Sequence, residues 1–185
     1  MDLMRCSGKL RRFILFNKNS GNCFDMEEHM EFWTDLCLAA VFIRIAWTDI
    51  RTMTIPDNVL VPLVILAAMS VPAEPEISLT ARIIGCFSVA LPMYITDRFI
   101  DGAFGGGDIR LLAVMGFYLG WKMCLVGTVT GFFFGGLQAV ILLISGKVKF
   151  GERTRIPFAP ALCLGLYAAK LWGDQIIGLF FGLTW

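Results

Sequence analysis

The chain has 185 residues, 57% of them hydrophobic and only 17% charged, with a net charge of +1 and a mean hydropathy of +0.70. That is more apolar surface than a soluble core of this size can hide, so the sequence reads as an integral membrane protein. Near-zero charge, with no basic patch carrying interleaved aromatics, argues against nucleic acid as a partner.

Residues 1–30 are polar by comparison and carry Arg5, Lys9, Arg11, Arg12 and Lys18. They lack the apolar core and small-residue cleavage site of a secretory signal. Two readings stay open for this tail: a short basic amphipathic helix over Leu10 to Phe16 lying on a membrane surface, or a segment without structure. Residues 31–185 read as one membrane domain. Apolar runs fall near 32–48, 58–72, 82–97, 109–120, 122–145 and 157–182, and a helix crossing a hydrocarbon core of about 30 Å needs roughly twenty such residues. The predicted fold is therefore an all-α polytopic membrane bundle of about six transmembrane helices. The last run contains Lys170, Gly173 and Asp174, which leaves room for a shorter span followed by an interfacial helix.

The connections at 49–57, 98–108 and 146–156 alternate with those at 73–81 and near 121, so the first set shares one face. Arg51, Arg98, Arg110, Lys147, Lys149, Arg153 and Arg155 lie at or beside it, against chiefly Arg82 and Lys122 on the other. The positive-inside rule then makes the first face cytoplasmic. The basic N-terminal tail runs against this assignment, unless it folds back or translation starts at Met26 or Met30.

Six cysteines stand at 6, 23, 37, 86, 124 and 163, the last four inside apolar runs, and the one histidine is His29. Neither a disulfide framework nor a zinc ligand set is expected from them, and no metal or cofactor is implied.

The chemistry concentrates on the cytoplasmic face. Gly105-Gly106-Gly107-Asp108 puts an acid at the head of an apolar run behind three residues without side chains, which lets a second peptide backbone approach. Asp49 closes the first apolar run, followed by Arg51 and the turn Ile55-Pro56-Asp57-Asn58. The helix dipole favours an anion at Asp108 and disfavours one at Asp49. That asymmetry suits a carboxylate pair in which one acid takes a proton from water while the other polarises a carbonyl. On this reasoning Asp108 is the base and Asp49 the acid. Asp57, Asp97 and Asp101 are rival acids on the same face, and read as caps or solvated loop charges. Asp35, Lys170 and Asp174 read as anchors toward the opposite side. Pro157 and Pro160 fix a rigid start to the last run. Gly127, Gly131, Gly135 and Gly136 give a small-residue spacing for close helix packing within the bundle.

Taken together, these residues resemble the type IV prepilin peptidases. They are Asp49 with Arg51 and Ile55-Pro56, Gly105-Gly106-Gly107-Asp108-Ile109-Arg110-Leu111-Leu112-Ala113 with Gly116 and Leu119-Gly120, and Pro157-Phe158-Ala159-Pro160. The resemblance runs from about residue 32 to the C-terminus. It implies a membrane aspartic endopeptidase that removes the short basic leader of a prepilin or pseudopilin at the cytoplasmic face of the plasma membrane, with Asp49 and Asp108 catalytic. Gly105, Gly106, Gly107, Arg51, Pro56 and Pro157 would support the site or the substrate. The sequence lacks the segment with two Cys-x-x-Cys pairs found in long, bifunctional members, so it looks like a short, peptidase-only form. Two alternatives remain: a presenilin-like protease, suggested by Pro160-Ala161-Leu162, and a small transporter whose acids bind a cation or relay protons.

Overall fold

A computed structural model describes residues 24–100, 102, 104–145 and 157–181. The N-terminal tail through Cys23, Asp101, the 146–156 connection with its four basic residues, and the side chains of His29 and Asp174 lie outside the described residues.

Every regular element among the described residues is helical: α1 (Phe24–Thr52), α2 (Asp57–Ala73), α3 (Leu79–Ser88), α4 (Ala90–Phe99), α5 (Gly106–Ile144) and α6 (Ala159–Phe181). The apolar runs expected at 109–120 and 122–145 form the single element α5. It bends at Gly120, whose backbone (φ 76, ψ 168) leaves the helical region for one that only glycine enters cheaply. The run near 82–97 is divided at Val89 into α3 and α4. In α6, Trp172 interrupts the helical geometry close to the expected weak point.

Two stretches, Leu79–Phe99 and Gly106–Ile144, are long and apolar enough to cross a membrane, and Asp57–Ala73 is a shorter apolar helix. Only 28% and 22% of their most apolar windows are buried inside the molecule, too little for the core helices of a soluble protein. Ile43, Val129, Phe133 and Ile144 are all more than 60% exposed, and an apolar surface of that extent belongs in lipid.

α1, α2, α5 and α6 form a ring in which α1 touches α2 and α6, and α5 touches the same two. α3 packs on the outer side of α5, where Gly85 and Gly116 bring the two backbones together. A methyl group on either would stand within about 2.2 Å of the other's carbonyl oxygen. Three glycines of the stripe expected to serve packing do so, Gly127 against Leu166, Gly131 against Leu162 and Gly135 against Phe158, whereas Gly136 faces open space.

The core is a set of inward stripes at helical spacing. On α1 the buried residues are Leu38, Phe42, Ile45 and, continuing the same stripe, Asp49. On α5 Leu111, Leu112 and Met115 continue the face begun by Asp108, and on α6 the buried face runs Ala159, Leu162, Cys163, Leu166 and Ala169. Both acids thus end hydrophobic stripes on helices that line one core.

The other end of the bundle is closed by polar contacts. Arg82 is fully buried. It donates to the Ser70 hydroxyl (2.7 Å) and to the carbonyls of Ser70 (3.0 Å), Glu74 (3.0 Å), Ile77, Phe117 and Tyr118 (each 3.3 Å). These oxygens include the C-terminal carbonyls of α2 and of the first half of α5, where the helix dipoles favour a cation. From sequence Arg82 counts among interfacial loop charges, and the structure corrects this: Arg82 is an internal cap. Tyr118 continues the network, its hydroxyl accepting from Lys170 (2.7 Å), and Lys170 also forms an ion pair with Asp35 of α1. The expected anchors Asp35 and Lys170 are therefore partners of each other.

Candidate active site

Asp49 is 6% exposed, and its carboxylate Oδ2 accepts a hydrogen bond of 3.0 Å from the backbone N–H of Ala159. The local sequence explains why that amide is available. Ala159 is the first residue of α6, where N–H groups have no partner within the helix. Pro157 and Pro160 have no N–H at all, so the Pro-Phe-Ala-Pro stretch presents few donors, and Asp49 takes one. Asp49 thus serves α6 as a cap from a different helix, where the dipole favours a negative charge. The entry into α6 is held in turn by Gln138, which donates to the Pro157 carbonyl (3.1 Å), and by the ring of Phe158, 5.3 Å from that of Phe132.

Asp108 sits in the first turn of α5, behind Gly105, and is partly buried. Its carboxylate folds back so closely that a methyl group on Gly105 would lie 2.9 Å from Oδ2. Asp49 near the end of α1 and Asp108 at the start of α5 are brought to the same end of the bundle by the packing of Gly107 on Ile55, and the buried Cys163 stands one turn beyond Ala159 on α6. Among the described residues no hydrogen bond reaches the Asp108 carboxylate. The donor therefore falls on Asp49, the opposite of what the dipole argument from sequence expects.

The three glycines do different things. A methyl group on Gly107 would stand 2.7 Å from Ile55 Cβ, so the Ile55-Pro56 turn docks directly on the base of α5. Gly106 has open space around it. Pro56, exposed, is the N-cap position of α2 with extended backbone and turns the chain behind the buried Ile55. Met53, just after α1, takes a left-handed conformation (φ 52) and its N–H closes onto the Asp49 carbonyl at 2.8 Å.

The rival acids have other partners. Asp57 is paired with Arg110, and both side chains are mostly exposed. Asp97 accepts from the Phe104 N–H at 3.1 Å, which pins the turn leading into Gly105. Arg51 lies on the exposed side of α1, its guanidinium 4.6 Å from the centre of the Trp47 ring. Two residues on a helix are separated by about 200°, so Arg51 and Asp49 occupy opposite sides of α1. Reasoning from sequence missed the Ala159 amide and the Asp97 tether. The two prolines around Ala159 were the available signal for the first.

With this geometry in place, the chain can be compared with known proteins. Residues 36–140, which include both acids, match the model of the type IV leader peptidase family. The chain belongs to the type IV leader peptidase family. Among curated relatives, a prepilin leader peptidase/N-methyltransferase of Bacillus subtilis (strain 168) is 31% identical over 151 residues, covering 82% of this chain and 60% of the relative. Proteins of the same description from Legionella pneumophila and Stutzerimonas stutzeri are each 27% identical, covering 77% and 76% of this chain and 50% of each relative. The chain thus spans half to three-fifths of the length of these leader peptidase relatives. No solved structure matches it.

Proposed function

We propose that this chain is a membrane aspartic endopeptidase that cleaves the leader from a prepilin or pseudopilin. The observation that carries the proposal is that Asp49, held by the Ala159 amide, and Asp108, behind the Gly107 that packs on Ile55, stand at one end of the bundle, while Asp57 is engaged by Arg110. Two neighbouring carboxylates do not readily ionise together and share a proton as a unit. Asp49, with its backbone donor, carries the charge and draws a proton from water. Asp108, without a donor, holds the shared proton and offers it to the scissile carbonyl, so the roles are the reverse of those the sequence suggests. Gly105, Gly106 and Gly107 admit the substrate backbone, Pro56 and Pro157 hold the turns behind the two acids, and Arg51 on Trp47 anchors α1 at the membrane surface.

In this reading the chain crosses the plasma membrane six times: through α1, α2, α3 with α4, the two halves of α5, and α6. The acids face the cytoplasm. The burial of Arg82 supports this orientation, since it removes a cation from the count on the opposite face and strengthens the positive-inside bias.

The test is co-expression with a panel of tagged prepilins, including tight-adherence and competence types, with leader removal followed by mass spectrometry. Asp49→Asn and Asp108→Asn are each expected to slow cleavage by roughly 10²–10⁴-fold, the usual loss for a general acid or base, whereas Asp57→Ala keeps kcat within a few-fold of wild type, any loss falling on KM. A bell-shaped pH–rate profile is expected for the wild type. Cleavage that survives loss of either acid would end the paired scheme, and intact prepilins across a well-expressed panel would favour an ion-binding role for the same carboxylates.

A further inference from the structure

Between α2 and the first half of α5 runs a groove of about 320 Å³, walled by Leu60, Val61, Val64, Ala113 and Val114, within the range of ligand clefts. Val61 and Val64 are about half exposed (52% and 49%), so the groove opens outward. Its charged end is the Asp57–Arg110 ion pair. That end adjoins the catalytic acids through the chain itself: Arg110 follows Asp108 by two residues, and Asp57 follows Ile55, on which Gly107 packs. Gly105 and Gly106, which open α5 just ahead of Asp108, are both exposed, and a side chain on Gly106 would meet nothing within 4 Å. A peptide running from the groove to the acids would cross the N-terminus of α5 at these glycines, where unpaired helical amides are on offer. The helix is roughly 10 Å across, and about three extended residues at ~3.3 Å each carry a chain around it.

We propose that this groove holds an apolar stretch of a membrane-anchored protein substrate on one side of the scissile bond, with Asp57 and Arg110 reading the charges where that stretch ends. The inference deepens the peptidase reading and rests on it.

The test places a benzoylphenylalanine photo-crosslinker at Val61 or Val64, in an Asp108→Asn background that keeps the substrate whole, and irradiates membranes containing co-expressed tagged prepilin. Substrate adducts are expected from both positions and not from Phe133, which is 72% exposed on the second half of α5. Adducts with lipid alone, or no substrate adduct at 61 and 64, overturn the proposal. In the otherwise intact protein, Ala113→Phe is expected to raise KM for the membrane substrate roughly tenfold while kcat stays within about twofold, the pattern of lost uniform binding. Retained kcat also reports that the variant folds. An unchanged KM removes the groove and leaves the peptidase reading standing, whereas a wild type that cleaves nothing removes both.

Discussion

The two ends of the bundle both hold ionisable side chains away from water, and they treat them in opposite ways. At one end Arg82 is surrounded by six acceptors drawn from α2, α5 and the loop before α3. Tyr118 and Lys170 extend that network to α6 and α1. At the other end Asp49 has a single backbone donor, and Asp108 has none among the described residues. A saturated buried charge is architecture, because every partner is already committed and a substrate could only disrupt it. An under-satisfied pair has capacity left for water and a peptide, and such capacity in a low-dielectric setting is costly unless it is used. Ten residues of α5 separate Asp108 from Tyr118, roughly 15 Å at 1.5 Å per residue, so the saturated network and the two acids proposed for catalysis stand well apart.

The sharpest way to break this division is at Arg82. Arg82→Ala leaves several buried carbonyls unpaired at about 1–3 kcal/mol each, and a loss on the order of 3 kcal/mol or more is expected in detergent unfolding. Cleavage per folded molecule should change little. Asp49→Asn is expected to do the reverse, removing activity while leaving the melting temperature close to wild type. If Arg82→Ala instead spared stability and removed cleavage, the two ends could not be assigned as they are here.

A second, smaller effect separates pairing from burial within the stabilising end. Lys170→Met strands Asp35, whose side chain is 27% exposed against 11% for Lys170, and about 2 kcal/mol of destabilisation is expected, reduced from the fully buried case by that partial exposure. Adding Asp35→Leu should recover most of it, since an apolar pair of similar volume often replaces an ion pair without loss. A double variant no better than the single would mean that Tyr118, not Asp35, is the partner that matters.

The glycines before Asp108 test the proposed catalytic end on the same scale. Gly107→Ala forces a methyl group to 2.7 Å from Ile55 Cβ, and overpacking of this kind costs about 1–3 kcal/mol. Ile55→Ala in the same chain should relieve it. Gly106→Ala meets no neighbour and is expected to leave stability within ~0.5 kcal/mol while slowing cleavage, because the added side chain would stand in the proposed substrate path. Equal stability losses at both positions would mean that packing alone explains the glycines.

Much of this arrangement is written in the sequence at helical spacing. The run 58–72 falls within α2, and Asp49 continues the 4-3-4 stripe of Leu38, Phe42 and Ile45, a spacing that by itself marks it as inward-facing. The same geometry places Arg51 on the far side of α1. What periodicity cannot express is a partner brought by tertiary folding. The amide that serves Asp49 lies 110 residues away, and the acceptors of Arg82 come from carbonyls that carry no sequence signature. A cation next to a loop reads the same whether it meets water or six oxygens, which is why Arg82 reads as an interfacial charge. The division of α5 is legible as two apolar runs meeting near residue 121. The positive φ that makes one bent helix of them resides in a single glycine, Gly120.

The smallest expected effect is at the hinge between α1 and the Ile55-Pro56 turn. Met53 holds a left-handed backbone (φ 52) so that the chain can reverse from Asp49 into Ile55-Pro56, and a non-glycine residue in that region costs about 1 kcal/mol. Met53→Gly removes the cost but also widens the unfolded ensemble, which returns part of the gain. A net stabilisation of roughly 0.5 kcal/mol is therefore expected by thermal or denaturant unfolding, with cleavage unchanged because the Met53 N–H still closes on the Asp49 carbonyl. A loss of cleavage without loss of stability would show that the methionine side chain, 46% exposed beside Asp49, contacts the substrate, and would extend the catalytic end of the comparison to include the end of α1.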